Sequence, residues 1–175
     1  MKNTARKTVI LSVLTVLSLG LFALELLIPP FPFCPAAKIG LANIVTLFML
    51  TRKELFRFGD CFLVLIARCI LAALITGRLT AVLFSITGGI LALFTMLLIR
   101  KIWNNTAVIS VFGALAHNTG QIIVSIIIYG VFSIFYMIPV FFAAGVLSGA
   151  LTGVCVMLIM RNKRFRNYIL KLSRE

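Results

Sequence analysis

The sequence predicts an all-α integral membrane protein, a bundle of six transmembrane helices with both termini in the cytoplasm. Composition is the first observation behind this prediction. The 175 residues are 62% hydrophobic and only 12% charged, whereas a soluble domain carries roughly 25% charged residues. The apolar residues also lie in long runs, and most basic residues fall between those runs or at the termini. An ordinary soluble core is therefore excluded.

Six apolar runs are candidates for membrane spans, since a helix needs about 20 mostly apolar residues to cross the hydrocarbon layer. The first run follows basic residues, as a signal peptide does, but it ends at Pro29-Pro30 without a small-residue cleavage pattern. We expect it to remain as a helix. The runs cover approximately 8–28, 37–51, 59–76, 80–99, 107–129 and 134–160.

The basic residues predict the orientation. The net charge is +13, and fourteen of the seventeen Lys and Arg residues lie at the ends of the chain or in the segments 52–57 and 100–101. Short basic loops stay on the cytoplasmic side, so we expect a multi-pass protein of the bacterial plasma membrane that binds no nucleic acid. Residues 1–160 form the transmembrane domain, and residues 161–175 form a basic amphipathic tail along the inner leaflet.

The motifs of common enzymes are missing from the sequence. It contains no phosphate-binding G-x-x-x-x-G-K-[ST] loop, no G-x-S-x-G, no H-E-x-x-H and no aspartate-rich pair of motifs. A single His makes a zinc site improbable. The sequence therefore predicts that the chain is not an enzyme and holds no cofactor or metal.

Several charged and amide side chains fall at membrane depth, where such groups are expensive and mark binding sites. At about 1.5 Å per residue, Arg68 and His117 lie near mid-membrane, and the others lie towards the outer side. Their balance of charges predicts a site for a small anionic or carboxylate-bearing ligand that arrives from outside. The predicted ligand-binding residues are Glu25, Lys38, Asn43, Arg68, Arg78, His117, Asn118 and Gln121.

Five of these residues also have a purely structural alternative, and Arg68 also fits an ion pair with a carboxylate of a partner. Arg78 fits a solvated loop, and Lys38 fits a side chain that reaches the outer headgroups. Glu25 fits an ion pair with either of them. His117 and Asn118 fit hydrogen bonds between helices.

Small residues at four-residue spacing predict close helix packing. Gly145, Gly149 and Gly153 repeat in the last run, and Gly88-Gly89 occurs in the fourth. Glycine at this spacing lets two helix backbones approach closely in lipid. We expect these glycines to pack helices within the bundle.

Three segments resemble a known family. They are K-I-G-L-A-N-I-V at 38–45, F-S-I-T-G-G at 84–89 and A-H-N-T-G-Q at 116–121. In this order they resemble the Gx transporter family, also labelled heptaprenyl diphosphate synthase component I. The likeness covers nearly all of the chain.

The resemblance implies a substrate-binding S component of an energy-coupling-factor (ECF) transporter. Such proteins are six-helix membrane subunits that bind solutes from outside and dock onto a transmembrane coupling protein and two ATPases. S components commonly dock through an A-x-x-x-A face on the first helix. The matching stretch here is a stripe of small residues with helical spacing but without that motif: Ala5, Thr8, Ser12 and Thr15.

The second label implies a different role. It suggests a non-catalytic accessory protein in polyprenyl diphosphate or menaquinone synthesis, or in flavin-linked extracellular electron transfer. The leading prediction is an S-component-like subunit of an uptake transporter, and the accessory role is the alternative.

Overall fold

The computed structural model describes residues 4–27, 40–77, 79–130, 136 and 138–162. Lys38, Arg78 and the tail residues 163–175 lie outside the described residues. The described chain contains helices and no strand. The helices are α1 (Thr4–Leu27), α2 (Asn43–Thr51), α3 (Phe58–Thr76), α4 (Leu79–Ile102), α5 (Thr106–Tyr129) and α6 (Ile138–Arg161).

Every helix in this part of the chain except α2 is long and apolar enough to cross a bilayer. With a rise of about 1.5 Å per residue, the 19 residues of α3 already span nearly the thickness of the hydrocarbon layer. The prediction of an all-α multi-pass membrane protein is confirmed.

Local signals in the sequence explain where the helices start and stop. The carboxylate of Asp60 accepts a hydrogen bond from the Arg57 N–H at 2.8 Å and so caps the start of α3. The side chain of Asn105 accepts one from the Ala107 N–H at 2.9 Å at the start of α5. Gly77 ends α3 in the left-handed conformation (φ +65°), which glycine adopts without strain.

Helix α2 is much shorter than the predicted run over 37–51. It has nine residues and a length of about 14 Å, roughly half of the hydrocarbon thickness. The helix begins only at Asn43 because Gly40 has φ +75° and residues 41–42 form a turn. The apolar run therefore gave the end of this helix correctly and its start too early.

The short α2 is surrounded by the rest of the bundle. Among the described helices, α1 packs on α3, α3 on α4, α4 on α5 and α5 on α6, while α2 contacts all five of the others. Helices α1 and α6 do not contact each other directly. Seven of the nine α2 residues are buried, and Leu47 and Met49 are among the most deeply buried side chains of the core. Helix α2 is the centre of the fold.

Two contacts show how the chain returns after α1. Near the end of α1, Glu25 contacts Gly40, which lies three residues before the start of α2. Near the start of α1, Lys7 Nζ lies 2.7 Å from the Asp60 carboxylate at the start of α3. The segment 40–60, which contains α2, therefore runs back alongside α1 from its carboxyl end to its amino end.

Candidate functional site

Arg68 lies in the middle of α3, in the eleventh of its nineteen residues, at about mid-depth of a spanning helix. The residue is only 6% exposed. In the described part of the chain, its guanidinium contacts the weak acceptor Cys69 Sγ, 3.9 Å from Nη2, and its buried Nε has no hydrogen-bond partner. Within the described ranges no carboxylate lies within ion-pair distance of Arg68. Among the described residues, the buried positive charge of Arg68 thus has no counter-ion.

His117 and Gln121 form a pair one turn apart on α5. Their Nε2 atoms lie 3.1 Å apart, and both residues are buried. The side-chain oxygen of Gln121, Oε1, is buried without a hydrogen-bond partner. Gly88 of α4 makes room for the imidazole, since a Cβ at this position would lie about 3.0 Å from the ring and 2.9 Å from the His117 carbonyl oxygen. Close packing of α4 on α5 therefore positions His117.

Asn118 connects α5 to α6. Its side-chain amide donates a hydrogen bond to the Phe141 carbonyl at 2.8 Å, and the same amide nitrogen lies close to Gly145. Hydrogen bonds of this kind between helices stabilise membrane bundles by about 1 kcal/mol. The Asn118 amide therefore links α5 to α6. Asn118 also borders a cavity.

The cavity lies between the start of α2 and helices α4, α5 and α6. It offers about 10 Å³ to the centre of a water molecule, which is room for about one water. A ligand larger than water therefore needs the surrounding helices to move apart. The lining residues are Gly40, Asn43, Met96, Ser110, Ala114, His117, Asn118, Ser148 and Thr152.

Glu25 and Asn43 lie at the amino end of α2. Glu25 Oε1 accepts a hydrogen bond from the Gly40 N–H at 2.6 Å, and the glutamate is buried. Asn43 is the first residue of α2 and is 7% exposed. Since Gly40 and Asn43 both line the cavity, Glu25 lies just behind its wall.

The predicted ligand-binding residues thus fall into two groups. Asn43, His117 and Asn118 share the cavity, with Gln121 joined through His117 and Glu25 through Gly40. Arg68 does not line this cavity, and α3 makes no direct contact with α5 among the described helices.

The glycines predicted to pack helices lie at close contacts. A Cβ on Gly149 would be 2.6 Å from the Val111 Cα, and one on Gly153 would be 2.7 Å from the Ala107 Cα. Gly145 faces α5 in the same way. On α4, a Cβ on Gly89 would be 2.9 Å from the Leu65 side chain of α3. These contacts bring α5 against α6 and α3 against α4.

The predicted docking stripe on α1 divides in two. Ala5, Thr8 and Ser12 are exposed, whereas Thr15 is buried and its hydroxyl donates to the Leu11 carbonyl at 2.9 Å. Thr15 therefore faces the bundle, and only the first three residues are accessible to lipid or to a partner.

Sequence reasoning missed the inner part of the cavity. Ser110 and Thr152 line it, and their hydroxyl oxygens lie 2.7 Å apart. Both residues are isolated polar positions in apolar runs, and this was the available signal. Their meeting depends on the packing of α5 on α6, which the sequence pattern does not give.

Two ion pairs lie near the amino ends of α1 and α3 and the carboxyl end of α2. Asp60 contacts Lys7, and Arg52 Nη1 lies 3.1 Å from Glu54. Arg100 of α4 donates a hydrogen bond to the Leu50 carbonyl near the end of α2. In the described residues no group of three or more His, Cys, Asp and Glu side chains is arranged to hold a metal ion.

The comparison with protein families agrees with the resemblance. The family model described as "Heptaprenyl diphosphate synthase component I" matches residues 14–159. The chain belongs to this family. No curated protein matches it, and no solved structure matches it. The family description names a component of a synthase, so a membrane-associated component is the coarse function that belongs to the chain.

Proposed function

We propose that the chain is a non-catalytic membrane subunit that binds a small anionic molecule in the polar centre of its bundle. The observation that carries this proposal is the buried charge of Arg68, which has no counter-ion in the described part of the chain. An isolated charge in a medium of low polarity costs several kcal/mol, and chains retain such a charge where a ligand supplies the opposite one. The buried side-chain carbonyl of Gln121, which lies on α5 apart from Arg68, is a second group without a hydrogen-bond partner.

The finer form of this proposal is an S-component-like subunit of an uptake transporter, energised by separate partner proteins. The resemblance of the three motifs supports it. The cavity has room for only about one water in this structure. A cavity of this size suits a protein that opens to admit its ligand and then closes around it. In this proposal a coupling protein and ATPases bind at the exposed part of the α1 stripe.

A second candidate follows from the family description. In this alternative the chain is an accessory protein for polyprenyl diphosphate or menaquinone synthesis, or for flavin-linked extracellular electron transfer. A prenyl diphosphate combines an anionic head, which suits Arg68, with an apolar tail, which suits lipid. The partners would then be synthase components rather than transporter subunits.

We also propose that the chain crosses the membrane six times, with both termini in the cytoplasm of a bacterium. The contacts of Glu25 with Gly40 and of Lys7 with Asp60 support a complete return between α1 and α3. Single cysteines placed at Lys53 and Lys101 should both react with an impermeant reagent only after the cells are permeabilised. Labelling of either residue in intact cells would contradict this topology.

Native mass spectrometry of protein extracted gently from its own membrane tests the binding function. We expect wild-type protein to retain a small anion that Arg68→Met loses. A polar solute would support uptake, and a prenyl diphosphate would support the accessory role. Arg52→Met is the matched control, since Arg52 is also buried but has Glu54 as a partner. Equal retention by wild type and Arg68→Met would overturn the proposed site.

A further inference from the structure

The start of α2 is held by α1. The Glu25 carboxylate accepts a hydrogen bond from the Gly40 N–H at 2.6 Å, and the buried Ser18 hydroxyl donates one to the Ala42 carbonyl at 3.2 Å. None of the hydrogen bonds described for residues 40–51 reaches α5 or α6. The described polar contacts therefore join the amino end of α2 to α1 and not to α5 or α6.

Helices α5 and α6 are joined to each other at several levels. The Asn118 amide donates a hydrogen bond to the Phe141 carbonyl at 2.8 Å, and the hydroxyl oxygens of Ser110 and Thr152 lie 2.7 Å apart. Between these levels, a Cβ on Gly149 would lie only 2.6 Å from the backbone of α5. Close backbone contact combined with hydrogen bonds holds two helices together in lipid, so α5 and α6 form one unit.

The apolar core divides in the same way. The large cluster includes Leu47 of α2 and reaches α5 at Ile109 and α6 at Val156. Since Ile109 lies in the first turn of α5, this cluster occupies the end of the bundle at which α5 begins. The second cluster lies towards the other end and centres on Ile122 and Phe141, and among the described residues it contains side chains of α5 and α6 alone.

The end of the bundle at which α5 begins also fixes α1 and α2 by polar contacts. Lys7 Nζ of α1 lies 2.7 Å from the Asp60 carboxylate of α3, and Arg100 near the end of α4 donates a hydrogen bond to the Leu50 carbonyl near the end of α2. Helices α1 and α6 make no direct contact in the described structure. Helix α6 therefore does not restrain a movement of α1 directly.

We propose that the cavity opens when α1 and the amino end of α2 swing together away from α5 and α6, about the end of the bundle at which α5 begins. The cavity lies on this boundary, since Gly40 and Asn43 form one part of its wall and Asn118 and Ser148 form another. The entrance then lies between α1 and α6. The inference rests on the proposed function, because a cavity with room for about one water must open to admit a ligand.

The experiment forces the cavity open and measures which helices separate. Ala114→Phe places a wedge in the wall, because Ala114 lines the cavity and a phenyl ring does not fit there. Ala114→Leu is a smaller wedge that carries the test if the first variant does not fold. Both are compared with the unwedged chain in lipid nanodiscs, without ligand.

Distances between pairs of spin labels are measured by double electron–electron resonance, in a background whose four native cysteines are replaced by alanine. The labels replace exposed side chains, which leaves the core intact. One pair joins α1 to α6 at the cavity end, one joins the same helices at the opposite end, and one joins α4 to α6. The pairs are Leu24 with Phe142, Val9 with Leu158, and Leu83 with Phe142.

We expect the wedge to lengthen the Leu24–Phe142 distance by about 5 Å, as in a swing of packed helices, and to leave the other two distances unchanged. An unchanged Leu24–Phe142 distance would overturn the inference. A longer Leu83–Phe142 distance would also overturn it, because α4, α5 and α6 would then separate from one another. Equal lengthening of the Val9–Leu158 distance would contradict the swing about that end. These outcomes leave the proposed function standing, since ligand retention is measured separately.

Discussion

The two regions in which this bundle holds its charges follow different rules. At one end of the bundle, three cations have partners: Lys7 has Asp60, Arg52 has Glu54, and Arg100 has the Leu50 carbonyl. At mid-depth of α3, Arg68 is buried with no carboxylate in reach among the described residues. Partnered charges at helix ends stabilise a fold, whereas an unpartnered one in the middle destabilises it and points to a ligand.

Replacement of Arg68 should change the free energy of unfolding more than any other substitution considered below. In protein without ligand, Arg68→Met should raise the free energy of unfolding by about 1–4 kcal/mol, because methionine fills the space without a buried charge. Thermal unfolding in detergent measures the change. Arg52→Met should shift the unfolding midpoint downwards instead, since it breaks the pair with Glu54. A lower midpoint for Arg68→Met would show that the protein itself compensates this charge.

The packing around the polar centre gives the next largest effect. Gly149→Ala should lower the free energy of unfolding by about 1–3 kcal/mol, since the new Cβ would lie 2.6 Å from the Val111 Cα. The Gly20→Ala control meets nothing within 4 Å and should raise stability by up to about 1 kcal/mol. Similar unfolding midpoints for the two variants would mean that α5 and α6 separate easily.

The paired charges at the helix ends give the smallest effects. Asp60→Asn removes both the ion pair with Lys7 and the charged cap of α3, and it should lower the free energy of unfolding by about 0.5–2 kcal/mol. Glu54→Gln should change it by less than about 1 kcal/mol, because the Glu54 side chain is 40% exposed and its pair is screened by water. The same unfolding assay compares them. An Asp60→Asn effect no larger than that of Glu54→Gln would mean that the cap contributes little.

The sequence was sufficient to predict the helices that are long enough to cross the membrane, because a helix in lipid requires a long apolar run. The boundaries of α3 and α5 differ from the predicted runs by one residue. The start of α2 was wrong, since an apolar run does not reveal that Gly40 takes a left-handed conformation. Hydropathy reports which residues avoid water, and it does not distinguish a helix in lipid from one inside protein.

The candidate site was predictable residue by residue but not as an arrangement. Arg68 and His117 stand out because charged or ionisable side chains are rare in such runs. Their separation onto helices that do not contact each other depends on tertiary packing. The meeting of Ser110 with Thr152 depends on glycine contacts between α5 and α6. These distances are set by pairs of helices, and a single sequence contains no record of them.

The position of α2 has a consequence for how the protein is made. Nine residues are too few to settle across a bilayer alone, so the insertion machinery cannot recognise α2 as it recognises the longer helices. Because α2 contacts all five other helices, its final place exists only once those helices have assembled. We therefore expect biogenesis to end with the docking of α2, and truncated chains that lack α6 to leave this helix accessible to proteases and quality control.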